Sequence, residues 1–261
     1  MFKVQKNSPS PTEVKLSRLP VIKERVRLVL DYIRAFVGDL AVFPFFALAY
    51  PFSIADKRPK EVRHLTPILL LHGFAHNPTA WLIYRWYLVK KGYSVHILDF
   101  GYPPFASLEE YAGEVKKKAE QIAQQAGTDQ LNIIGHSMGG LVASYYATDL
   151  AKEGSVKKVV TLGSPLIGTK VATLGAMLRL GKCVEQMKFQ SEFVLQQNKK
   201  NEESPTQFYH FSSTGDLLIQ PNRSALGQNK KAITLQFRGM GHLSFLFSRK
   251  VLLQVGKALK T

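Results

Sequence analysis

Ten residues constrain this chain most: Leu131-Asn132-Ile133-Ile134-Gly135-His136-Ser137-Met138-Gly139-Gly140, with a helix-forming run opening at Leu141-Val142-Ala143. The apolar stretch reads as a buried strand, the glycine-flanked serine as a tight turn, and the continuation as a helix. A strand and a helix can meet so abruptly only if little side chain stands between them, which glycines on both sides of Ser137 secure. The pattern is that of a nucleophile elbow, G-x-S-x-G, in which a strained strand-to-helix turn holds the serine hydroxyl in the open.

The surrounding sequence repeats the same alternation. Pro67 to Leu71 reads as a short buried strand, and Asn77-Pro78 supplies an N-cap and a first-turn proline for a helix to about Lys91. Tyr93 to Leu98 is the next strand. Ser107-Leu108-Glu109-Glu110 forms a capping box, behind which Leu108, Tyr111, Ala112, Val115, Ala119 and Ile122 keep helical spacing. Strand Leu131–Ile134, helix Leu141–Leu150 and strand Val156–Leu162 follow. After an irregular stretch come strands Phe208–Ser212 and Ala232–Phe237, then a closing helix from about Leu243. Strands alternating with helices predict a mostly parallel sheet of about six strands wrapped on both faces.

That pattern begins at about residue 64, which divides the chain into an N-terminal extension (1–63) and one α/β domain (64–261). Residues 1–20 read as a polar tail, since Asn7-Ser8-Pro9-Ser10-Pro11 cannot hold a helix. Leu28 to Ile54 is mostly apolar, but its uncharged core, Leu40 to Phe52, is too short to span a bilayer as a helix. Ala47-Leu48-Ala49 resembles a signal-peptide cleavage site, yet Asp39 and Pro44 interrupt the apolar region, so an interfacial or core-packing segment is expected instead. Asp56 to Arg63 is a charged linker.

Charge points to a partner. Lys and Arg outnumber Asp and Glu by 35 to 19, a formal net charge of +16, and no acidic residue occurs from Leu217 to Thr261. Such a field attracts phosphate, and without any nucleic-acid motif beside it an anionic membrane surface is the expected partner, not nucleic acid. A solubilising surface is the plainer account of the same charge. Location is read as cytoplasmic or peripheral to a membrane, with secretion the alternative. The single cysteine, Cys183, excludes an internal disulfide and reads as a small buried hydrophobe.

A serine hydroxyl needs a base to take its proton, and the base needs an acid to hold its tautomer and its charge. With an elbow of this kind the acid and then the histidine follow the serine along the chain, on loops beyond strand ends. Downstream of Ser137 stand two aspartates and two histidines. Asp149 lies three turns along the elbow's own helix, carried away from the serine, whereas Asp216 follows the strand Phe208–Ser212. His210 is in mid-strand and reads as structural; His242 follows the last strand across Arg238-Gly239-Met240-Gly241. Ser137, Asp216 and His242 are therefore the candidate triad. For the oxyanion, the backbone N–H of Met138 and that of Phe74, in the loop His72-Gly73-Phe74, are the candidate donors. His72 and His76 lack the helix and glutamate of a zinc motif, so no metal and no cofactor is expected, and both are read as loop residues shaping the site. His64, His96 and His136 have no assignable role.

The set His72-Gly73-Phe74, Gly135-His136-Ser137-Met138-Gly139-Gly140, Leu162-Gly163-Ser164-Pro165 with Gly168-Thr169, Gly215-Asp216 and Gly241-His242 resembles the α/β-hydrolase superfamily over about residues 64–260. The Leu-Gly-Ser-Pro…Gly-Thr piece is especially similar to bacterial triacylglycerol lipases and esterases. The resemblance implies an α/β-hydrolase fold with a short helical cap and hydrolysis of a carboxylic ester through an acyl-serine. The N-terminal sixty residues have no counterpart in it. The cap is expected at about 166–204, where Leu174, Met177, Leu178, Val184 and Met187 are spaced to share one apolar helical face. Transfer of the acyl group to an alcohol other than water would use the same residues, and a non-catalytic membrane-interaction module is the reading from another class. A dinucleotide-binding enzyme fails for want of G-x-G-x-x-G after the first strand.

Overall fold

The structure, a computed structural model, describes residues 24, 26–41, 44, 64–101 and 104–260. The polar tail, the linker Asp56–Arg63 and nearly all of the apolar run Leu40–Phe52 lie outside the described residues.

Six strands form one sheet: β1 (His64–Leu71), β2 (Tyr93–Leu98), β3 (Leu131–His136), β4 (Val156–Leu162), β5 (Gln207–Ser213) and β6 (Ile233–Phe237). Their order is β2-β1-β3-β4-β5-β6, and every pair is parallel. The chain first steps outward from β1 to β2, then crosses back so that β3 pairs with the other side of β1. That reversal between β1 and β3 opens a crevice at their C-terminal ends, where ligands settle in open α/β sheets. Leu71 and Gly135 are partners in the register, so the loop after β1 and the turn after β3 emerge side by side.

Both faces of the central strands are buried, and alternate residues serve opposite layers. Leu69, Leu71 and Ile133 pack under α3 (Leu108–Ala126) and α4 (Met138–Tyr145). Ile68, Leu70 and Ile134 pack against α2 (Leu82–Lys90) and α8 (Arg249–Lys260). The capping box of α3 closes in both directions, Ser107 Oγ accepting from Glu110 N at 3.2 Å and Glu110 Oε2 from Ser107 N at 2.6 Å. Between β4 and β5 lie three short helices, α5 (Lys170–Met177), α6 (Lys182–Gln186) and α7 (Glu192–Glu203). These occupy the expected cap region.

Several boundaries differ from the sequence reading. The helix expected from Leu141 begins at Met138, immediately after the elbow serine, and its last turn widens to a π-turn at Tyr146–Leu150. The helix after Pro78 opens as a 3-10 turn to Trp81, with Asn77 Oδ1 accepting from Thr79 N at 3.0 Å. The closing helix is split: a 3-10 turn, Leu243–Leu246, precedes α8, because Ser248 starts a fresh helix by accepting from Leu252 N on its carbonyl oxygen.

One further helix, α1 (26–41), precedes the domain. Asp31 and Ala35 on it are buried against the β6–α8 loop, and Arg238 Nε donates to Asp31 Oδ2 at 2.8 Å.

Candidate active site

Ser137 occupies a left-handed conformation, φ 54° and ψ −124°, between β3 and α4. For a non-glycine residue such backbone costs about 1–3 kcal/mol and persists only where its surroundings impose it. Here the imposition is visible. Ser137 N donates to Leu162 O at 3.0 Å, and a Cβ placed on Gly139 would stand 2.3 Å from Leu71 O. Helix α4 therefore lies directly on β1, and only glycine fits the contact. Met138 is the first residue of α4, where a helix leaves its backbone N–H without an intrahelical acceptor.

The loop after β1 folds over the same point. His76 N donates to Gly73 O at 3.2 Å, closing a turn in which Ala75 also takes positive φ, 54°. A Cβ on Gly73 would come within 2.9 Å of Ser137 Cβ, so this loop sits against the elbow with Phe74 next in line. His72, just behind, anchors it: Nδ1 lies 2.9 Å from Gly73 O, and Nε2 accepts from Phe100 N at 3.1 Å.

Asp216 and His242 meet from the two loops beyond β5 and β6. His242 Nδ1 is 2.8 Å from Asp216 Oδ2, with only 2% and 1% of the two residues exposed. The other carboxylate oxygen, Oδ1, accepts from Leu218 N at 2.9 Å and Ile219 N at 3.0 Å, which fixes the plane in which Oδ2 faces the ring. Burial alone would push the imidazole down. The negative charge of Asp216, its hydrogen bond and the charge of Asp39 outweigh that and hold His242 above the ordinary histidine range. Because Nδ1 is committed to Asp216, Nε2 is the nitrogen left for chemistry.

Ser137, His242, Phe74, His76 and Leu218 line one cavity of about 180 Å³, closed by Gly175 of α5, Val184 of α6 and Met187 just after it. A larger apolar groove of about 640 Å³ adjoins it, sharing Phe74, His76 and Leu218 and walled on the far side by Phe36 and Leu40 of α1. The predicted apolar face of the cap splits in two. Val184 and Met187 turn inward to the cavity, while Leu174, Met177 and Leu178 face outward, Met177 with 77% of its surface exposed.

Three residues without an assigned role in the sequence prove to hold this site. His136 Nε2 donates to the carbonyl oxygen of His242 at 3.0 Å, and its ring lies between those of His76 and His242, with centroids at 5.3 and 4.7 Å. Burial keeps it far below the ordinary histidine range, so it is a neutral donor. Ser213 Oγ donates to Met240 O at 2.7 Å and accepts from Met240 N at 3.0 Å, tying the acid's loop to the histidine's loop. Asp39, on α1, accepts from His242 N at 2.7 Å. A histidine immediately before Ser137 and a serine two residues before Gly215 are weak signals, since their partners lie elsewhere in the chain.

The remaining candidates fall outside the cluster. His210 bonds Thr161 Oγ1 at 2.9 Å inside the sheet and is pushed down to about 4 by burial. His64 stacks on Tyr93, and His96 pairs with Ser94 Oγ, both away from the elbow. Asp149 faces Lys200 on α7. Cys183 is fully buried, which raises its thiol to about 11 and leaves it unreactive. Among the described residues no group of three His, Cys, Asp or Glu side chains is placed to hold a metal ion.

A parallel sheet with a strained serine elbow at its switch point defines an α/β-hydrolase fold, and comparison with known proteins agrees. A family model described as alpha/beta hydrolase fold matches residues 66–185. A triacylglycerol lipase from Burkholderia plantarii is 27% identical over 152 residues, 53% of this chain and 41% of its own length. The chain thus matches less than half of that relative. Among solved structures, the mature form of a Bacillus licheniformis lipase aligns over 79% of this chain and 96% of its own, with TM-score 0.64 and 16% identity. A Paleococcus ferrophilus monoacylglycerol lipase aligns over 74% and 93%, with TM-score 0.57 and 17% identity. A Pyrococcus furiosus esterase aligns over 76% and 83%, with TM-score 0.59 and 17% identity. The chain has the α/β-hydrolase fold, and it resembles lipases and esterases.

Proposed function

We propose that this chain is a serine carboxylic-ester hydrolase acting on acyl lipids, with Ser137 as nucleophile, His242 as general base and Asp216 as the acid that orients it. The buried 2.8 Å contact between His242 Nδ1 and Asp216 Oδ2, on the wall of a cavity that Ser137 also lines, supports this most. His242 Nε2 takes the proton from Ser137 Oγ as that oxygen attacks the ester carbonyl. The carbonyl oxygen becomes an oxyanion and accepts from the N–H groups of Phe74 and Met138. Asp216 stabilises the imidazolium, which then returns its proton to the departing alkoxide and leaves an acyl-serine. Water, deprotonated by the same nitrogen, completes hydrolysis.

The cavity at Ser137 and the apolar groove that adjoins it through Phe74, His76 and Leu218 fit a substrate with hydrocarbon on either side of its ester. An anionic lipid surface is the proposed docking partner. Leu174, Met177 and Leu178 on the cap and Ile33, Val37 and Leu40 on α1 leave apolar surface in the open, and the net charge is +16. Apolar exposure beside basic charge is the combination that binds such membranes. Among the described residues no helix is long and apolar enough to cross one.

Turnover of p-nitrophenyl esters across acyl lengths, with and without anionic vesicles, tests the proposal beside Ser137→Ala. Loss of the nucleophile should lower kcat by about 10⁶-fold. Activity retained in that variant would sink the mechanism. A preference for acetyl esters that ignores vesicles would leave an esterase and remove the lipid.

A further inference from the structure

Helix α1 reaches the candidate base directly, through Asp39. Asp39 Oδ2 accepts from His242 N at 2.7 Å, while Oδ1 accepts from Leu243 N at 2.9 Å, Ser244 N at 3.1 Å and Ser244 Oγ at 3.2 Å. One carboxylate thus receives successive N–H groups of the turn on which the imidazole is mounted. The approach has been made room for: a Cβ on Gly241 would stand 2.3 Å from Asp39 Oδ1 and 2.5 Å from Ala35 O. Eight residues earlier on the same helix, Asp31 holds Arg238 at the start of this loop.

We propose that Asp39 is a positioning residue for His242: from the N-terminal helix it fixes the turn carrying the imidazole and sets a second carboxylate beside the ring. The inference rests on His242 serving as the base. Three bonds then define that residue, Asp216 on the ring, His136 on its carbonyl oxygen and Asp39 on its N–H. The titratable groups facing it are Asp216 from the β5 loop, Asp39 from α1, His136 from the end of β3 and His76 from the β1 loop. The two carboxylates favour the imidazolium, and the neighbouring histidines oppose it. Removing the charge of Asp39 while keeping an acceptor oxygen should therefore let His242 lose its proton at lower pH.

The test is Asp39→Asn in the full chain, beside Asp31→Asn, which weakens the docking of α1 without touching His242. With a short soluble ester, Asp39→Asn should lower kcat by up to about 100-fold, the loss that misplacement of a reacting group by about an ångström brings. It should also move the acid limb of the kcat/KM profile to lower pH; Asp31→Asn should leave that limb in place. Titration of the His242 ring followed by ¹⁵N NMR should show the same displacement. Coincidence of the Asp39→Asn limb and ring titration with wild type would overturn the inference, as would an equal displacement in Asp31→Asn. If Asp39→Asn does not fold, Asp39→Glu keeps the charge and Asp39→Ser an acceptor without it. A lowered titration in the Ser variant alone upholds the assignment, and equal values refute it. Should the wild-type chain hydrolyse no ester, the proposed function falls, and the ring titration still decides the part played by Asp39.

Discussion

Helices α3 and α1 are both amphipathic, yet they turn opposite faces to the protein. Leu108, Tyr111, Ala112, Val115 and Ile122 of α3 are buried against the sheet, and its lysines point to solvent. On α1 the buried positions are Asp31 and Ala35, with Asp39 half-buried beside them, whereas Ile33, Phe36, Val37 and Leu40 are 54–63% exposed. The first helix is held by the hydrophobic effect, which is large and indifferent to direction. The second is held by charge-assisted hydrogen bonds to one loop, which are fewer and depend on geometry. A helix attached in that way adds little to the core but much to the position of what it touches. Of its apolar side, Phe36 and Leu40 wall the groove beside the site, while Ile33 and Val37 face outward.

The contrast can be broken in order of expected effect. Ile122→Ala, on the buried face of α3, should cost about 2–5 kcal/mol of unfolding free energy in a denaturant titration, because transfer and cavity terms add. A loss below about 1 kcal/mol would mean that α3 is not part of the core. Acid should weaken the interior next. His136 and His210 are buried with lowered pKa values, His210 near 4, so below about pH 6.5 the unfolded chain takes up protons that the native chain declines. Stability then falls with pH by up to about 1.4 kcal/mol per unit for each ring, levelling below about 4 for His210. His242, held high, acts with the opposite sign: its contribution is complete below about pH 6.5 and is lost as pH rises through its raised value. Denaturant titrations at pH 7, 5.5 and 4.5 check the slope, and a flat result would show both rings protonated in the fold. Smallest in stability is Ile33→Ser with Val37→Ser on the outer face of α1, expected to change unfolding free energy by about 0.5 kcal/mol or less. The same pair should cut sedimentation with anionic vesicles several-fold; unchanged binding would take α1 out of the lipid contact.

Local pattern made much of the sheet readable. All six strands lie within three residues of where the pattern predicts them, because short apolar runs bounded by turn residues favour strands, and the chain order of Ser137, Asp216 and His242 follows from loop positions that such strands define. Helix α4 starts three residues before the sequence predicts, since Gly139-Gly140 disfavour helix by propensity and are helical here because the elbow packs on β1. His136, Ser213 and Asp39 could not be assigned for a related reason. His136 finds His242 across 106 residues and Asp39 finds it across 203, so nothing near either residue announces the partner.

What the sequence determined by itself is the alternation, the elbow and the order of the candidate chemistry, all of which rest on short-range sterics and periodicity. The side on which α1 meets the domain was decided by tertiary structure alone. Its composition favours burying leucine and valine, and a sequence reading must choose between a membrane and a core for them. The fold instead offers a turn with unpaired N–H groups at His242, and satisfying those with Asp39 orients the helix. A directional demand for hydrogen bonds at one loop sets which face is hidden, and no local pattern carries that information.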